Sequence, residues 1–88
     1  MVTIEWLEPA NRRWPEDLDA FVGGKIKVAS LRRPIGGRGE TPKVLAYTFL
    51  PQTSLEKGKT FEASEFDLAK GLVENVIRIW FRVATAGD

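Results

Sequence analysis

Residues 76–84 read Val-Ile-Arg-Ile-Trp-Phe-Arg-Val-Ala, and they constrain the fold more than any other stretch of the chain. At a period of two, Ile77, Ile79, Phe81 and Val83 share one face, and Val76, Arg78, Trp80, Arg82 and Ala84 share the other. β-Branched and aromatic side chains dominate, as a pleated, half-buried surface favours. The spacing predicts a closing β-strand whose outward face sets Trp80 between two arginines. A competing period runs through the same residues. Leu68, Leu72, Val76, Ile79 and Val83 also fall on a helical stripe, so one long helix over 65–84 is the alternative. The density of stiff β-branched side chains favours the strand.

Upstream, Val2, Ile4 and Trp6 alternate with Thr3, Glu5 and Leu7, which predicts a strand over 2–7, ended by Pro9. Pro15, the acids Glu16, Asp17 and Asp19, and Gly23 have the order of a helix start, a favourable dipole end and a stop. They predict a helix of at most two turns over 14–23, with Trp14, Leu18 and Phe21 pinned to the core. Strands follow over 25–31 and 43–50, the second apolar on both faces and therefore expected to be central and buried. Between them, three glycines and two prolines make 32–42 a loop. Residues 59–63 suit a short strand. Ser64, with Asp67 three residues on, resembles a capped helix start, with Phe66, Ala69, Leu72 and Val73 on one face as far as Asn75.

Eighty-eight residues form one small globular domain, 1–88, with a modest core. Three Trp, five Phe and one Tyr supply bulky core material and exclude a disordered chain. The expected architecture is mainly β: about five antiparallel strands, as a small sandwich or an open barrel, with one or two short helices. The alternative is α+β, a C-terminal helix on a small antiparallel sheet. The closing strand followed by Ala84-Thr85-Ala86-Gly87-Asp88 resembles the end of bacterial immunoglobulin-like modules, and so does the stretch from Phe21 to Val28. That likeness implies a sandwich.

The chain has neither cysteine nor histidine. Disulfides, thiolate metal sites, the usual neutral-pH general base and the Ser-His and Cys-His nucleophile pairs are all excluded. The expectation is a non-enzymatic protein with no cofactor and no metal. No apolar run approaches the ~20 residues of a membrane span, and no signal peptide is visible. A cytoplasmic protein without a membrane partner is expected, with a secreted module excised from a longer chain as the alternative.

Three clusters are candidate sites. The first is Arg78, Trp80 and Arg82, joined by Tyr47 from a neighbouring strand, because Trp and Arg are enriched where protein interfaces concentrate their energy. The second is the basic, glycine-rich stretch around Gly36-Gly37-Arg38-Gly39. Here Lys25, Lys27, Arg32, Arg33, Arg38 and Lys43 face only Glu40 across 25–43, although the net charge is +1. Glycines admit close phosphate approach and arginines pair with phosphate, but neither a P-loop nor a dinucleotide fingerprint is present. The third comprises Glu62, Glu65 and Asp67 near Thr60 and Ser64. These acids read as helix capping and a solvated face. The leading expectation is therefore a protein-interaction module that uses the Arg-Trp-Arg strand face or a sheet edge. Its partner would be another protein, neighbouring domains of a parent chain, or a second copy. The alternative is a nucleic-acid-binding module that uses 32–43, with stacking on Trp80 or Tyr47.

Overall fold

The computed structural model describes residues 2–34 and 41–86. Five strands run in chain order as one open antiparallel meander: β1 (Ile4–Leu7), β2 (Leu18–Val22), β3 (Ile26–Arg32), β4 (Lys43–Thr48) and β5 (Lys59–Glu62). A 3-10 turn over Ala63–Glu65 leads into one long helix, α1 (Phe66–Ala86). The fold is mainly β with five antiparallel strands, as expected, in the arrangement of a C-terminal helix on a small open sheet.

Two segments change identity. Residues 18–22 are strand β2, not the end of a helix. The glycines belong to a hairpin turn: Gly23 and Gly24 sit at φ +64° and +71°, and the Lys25 N–H donates to the Val22 carbonyl. Two successive positive φ values match the right-handed twist of the strands they join. Residues 76–84 are not a strand but the C-terminal half of α1. Between Phe66 and Ala86 the turn-favouring residues Gly71 and Asn75 stand apart and no proline follows, so neither breaks the helix. An unbroken helix instead lines up Ala69, Val73 and Ile77 at i, i+4 and i+8, all with no exposed surface. Burial of that row against the sheet overrides local β-propensity. The likeness to an immunoglobulin-like closing strand therefore does not hold there.

On the sheet, Leu31 of β3 and Val44, Ala46 and Thr48 of β4 point towards α1 and are buried. Ala20, Val28, Ala29 and Phe61 join the same core, with Leu50 and Leu55 from the 49–58 turn. Gly58 closes that turn at φ +88°, where a Cβ would sit 3.0 Å from Leu45 Cδ1. Trp6 packs against the core, and its indole Nε1 donates to Glu74 Oε1 of α1 at 3.1 Å. β4 lies between β3 and β5, as expected of an interior strand, but it is buried on one face only. Its other face carries Leu45 and Tyr47 half-buried and leads to Phe49, which is 51% exposed.

Candidate functional site

The helix carries more apolar surface than the sheet covers. Beside the buried row Ala69, Val73 and Ile77 runs a second row. In it Leu68, Ile79 and Val83 are 60%, 45% and 68% exposed, while Leu72 and Val76 are half-buried. These five residues form one stripe along a helix of 21 residues, roughly 31 Å at 1.5 Å per residue. At its C-terminal half the stripe opens into a groove of about 570 Å³ between Val76, Ile79, Trp80, Val83 and Ala84 on one side and residues 51–54 on the other. Trp80 forms the groove wall and is held there: its Nε1 donates to the Pro51 carbonyl at 2.9 Å, and its ring meets Phe81 edge-to-face at 5.1 Å.

The helical geometry dismantles the Arg-Trp-Arg face. Arg78 and Arg82, four apart, stay together beside Phe81 and Val2, around a separate hollow of about 400 Å³. Trp80, two residues from each, turns towards residues 51–54. Arg78 lies 3.9 Å from Glu74 and is half exposed, so this pair contributes little to stability. Tyr47 is on the sheet face away from α1 and does not meet Trp80. The sheet edges β1 and β5 are four residues each, short templates for strand addition.

The helix-free sheet face has a polar centre. Asp19 is 5% exposed and sits across from Ser30 in the β2–β3 register. Ser30 Oγ donates to Asp19 Oδ1 at 2.7 Å, Arg32 Nη2 donates to the same oxygen at 2.7 Å, and Lys27 Nζ is 3.8 Å from Oδ2. Beside this network, Tyr47 and Phe49 meet edge-to-face at 5.4 Å, with Lys27 Nζ 5.7 Å from the Phe49 ring.

The expected basic cluster is thus divided. Arg32 and Lys27 turn to Asp19. Arg33 stacks on Trp14 at 4.5 Å, and Lys25 and Lys43 are exposed. Arg38 and Gly36-Gly37-Arg38-Gly39 lie outside the described residues. Of the acidic cluster, Glu65 caps the backbone: the Glu62 N–H donates to Glu65 Oε1 at 3.3 Å. Among the described residues, no group of three His, Cys, Asp or Glu is arranged to hold a metal. No described helix is long and apolar enough to cross a membrane.

Asp17 organises the segment before β2. Its carboxylate accepts backbone N–H bonds from Arg13 (3.0 Å), Trp14 (3.4 Å) and Arg33 (3.1 Å). Burial acts to raise its pKa. The Arg13, Arg33 and Trp14 amides, with the Arg32 guanidinium, act to lower it and prevail, so the carboxyl sits below its ordinary value. A depressed folded-state pKa adds stability that is complete above the unfolded value of ~3.9 and is lost as pH falls below it towards the folded value. The stability gap between the native chain and Asp17→Asn is therefore expected to be constant from about pH 7 to 5 and to narrow below about pH 4. Urea titrations at each pH measure it, and a gap of unchanged size at pH 3 would contradict the assignment.

Sequence reasoning identified the Leu68–Val83 stripe only as the mark of an alternative helix over 65–84, set aside in favour of a strand. The distinguishing signal was the neighbouring row of smaller side chains, Ala69 and Val73, which lets a helix lie close on a sheet and leaves the larger row uncovered. Comparison of the chain with protein-family models, curated proteins and solved structures gave no match.

Proposed function

We propose that this chain is a non-enzymatic protein-binding module, docking through the exposed flank of α1 and the groove beside Trp80. The observation that carries the reading is the stripe itself. Leu68, Ile79 and Val83 stay largely exposed although the helix has a complete buried row of its own, and a contiguous exposed apolar patch on a small domain marks an interaction surface. Trp80, fixed by its bond to Pro51, supplies a rigid aromatic anchor. Arg78 and Arg82 lie on the polar side of the stripe. The surface therefore suits a partner segment with an apolar ridge bordered by carboxylates.

The test is retention of a partner protein from lysate at about 50 and 500 mM salt, a range over which screening goes from moderate to strong. A protein partner held at both salts by the native chain and lost by Ile79→Glu and Val83→Glu variants of unchanged circular dichroism is the expected result. Retention by both variants would move the site off α1.

One observation favours a second reading. The helix-free sheet face combines half-exposed Phe49, Tyr47 and Lys27, and aromatic platforms beside cations stack single-stranded bases. Nuclease-sensitive material bound at low salt, released at high salt and abolished by Phe49→Ala would support it.

A further inference from the structure

We infer that the partner covering the α1 flank is a second copy of this chain, its α1 running antiparallel about a two-fold axis near Asn75; the inference rests on the docking surface proposed above. Three features beside the stripe point to self-pairing.

The first is Gly71. It lies in the middle of a helix and is exposed, and a Cβ added there would meet nothing within 4 Å. Within one copy it weakens the helix relative to alanine and returns no contact. A glycine on a helix surface does allow another helix to come close. The second is Asn75, an exposed polar residue whose neighbours one turn away are Gly71, Leu72, Arg78 and Ile79. A polar residue on a helix seam fixes register by pairing with itself.

With the axis at Asn75, positions equally far before and after it face each other. Gly71 then meets the partner's Ile79, filling the open space over the glycine. Leu68 comes level with Arg82 of the partner subunit and next to the partner's Val83. Leu72 comes next to the partner's Ile79. The two asparagines meet at the axis.

The third feature is charge. The start of the helix is acidic, with Glu65 and Asp67, and its second half carries Arg78 and Arg82. Antiparallel pairing brings the acidic start of each helix beside the partner's Arg82 and sets the two helix dipoles in opposite directions. A parallel pair would place acids on acids and arginines on arginines. The same patch serves on both copies, as a closed two-fold dimer requires.

Light scattering on the purified chain, together with single-cysteine cross-linking, tests the inference. At ~100 μM, well above the Kd of a micromolar complex, the native chain is expected to show twice the chain mass. Leu68→Glu, with unchanged circular dichroism, should weaken the dimer by about tenfold or more. Because the chain has no cysteine, Asn75→Cys can link only between copies and should form a dimer under mild oxidation. Val83→Cys should not, because its two copies would be roughly 24 Å apart along an antiparallel pair. Equal linking of both variants would overturn the antiparallel register, and an undiminished dimer in Leu68→Glu would overturn the stripe as the interface. A monomeric native chain would overturn self-pairing. If that monomer still lost a different protein partner on Ile79→Glu, the docking surface would stand without the second copy.

Discussion

Ile77→Ala is expected to lower the unfolding free energy by about 2–5 kcal/mol, whereas Ile79→Ala in dilute protein is expected to change it by no more than about 0.5 kcal/mol. The two residues share a side chain and lie two positions apart. On a strand they would share a face and respond alike. On α1 they point in directions about 160° apart. Ile77 has no exposed surface and packs with Val73 and Ala69 against Leu31, Val44 and the rest of the core, so truncation leaves a void among atoms that cannot close over it. Ile79 is 45% exposed, and alanine there removes little contact while suiting a helix well. Urea unfolding of both variants at low micromolar protein measures the contrast. Equal losses would contradict a helical residue 76–84 segment.

Asp19→Ala is expected to cost about 2–4 kcal/mol. Three groups lose their partner at once: the Ser30 hydroxyl, with no exposed surface, and the charged ends of Arg32 and Lys27. Ser30 cannot turn to water, so its lost bond counts fully. The Arg32 side chain is 30% exposed and keeps its Nη1 bonds to the Leu18 and Leu31 carbonyls, which holds the cost below that of stranding a fully buried charge. Asp19→Asn keeps one acceptor oxygen but no charge, and about half the loss is expected. In a double-mutant cycle with Arg32→Ala, the two losses should fall short of additive by about 1 kcal/mol or more. Strict additivity would mean that the 2.7 Å contact carries no coupling.

The same residue shows where sequence reading succeeds and where it fails. β1, β3, β4 and β5 are legible because each is a short run containing apolar, β-branched or aromatic residues with glycine or proline close by. β2 is hidden because Asp19 lies within it and Asp17 just before it, and strands are depleted in aspartate. Their short spacing after Pro15 imitates a helix start, whereas one gathers backbone amides and the other anchors a cross-strand network. Ser30 and Arg32, the residues that make Asp19 tolerable in a strand, are eleven and thirteen positions away, beyond any local pattern. The C-terminal half of α1 fails for another reason. Residues 76–84 satisfy both periods, and only the sheet beneath them selects one. The candidate site inherits that ambiguity: Trp80 was singled out for its type and stands beside the groove, but its arginine neighbours face elsewhere.

The meander has a consequence for the order in which the chain acquires its structure. Every strand pairs with its neighbour in sequence, so the sheet's hydrogen bonds close short loops and form early at little entropic cost. Its apolar face has no such local partner. Leu31, Val44 and Ala46 remain uncovered until Ala69, Val73 and Ile77 are available, and those residues come last among the structured elements. During synthesis a paired sheet therefore waits with a bare underside, the interval in which such a chain is most prone to stick to others. Docking of α1 is the step that ends this exposure, and a ribosome pausing before residue 69 would lengthen it.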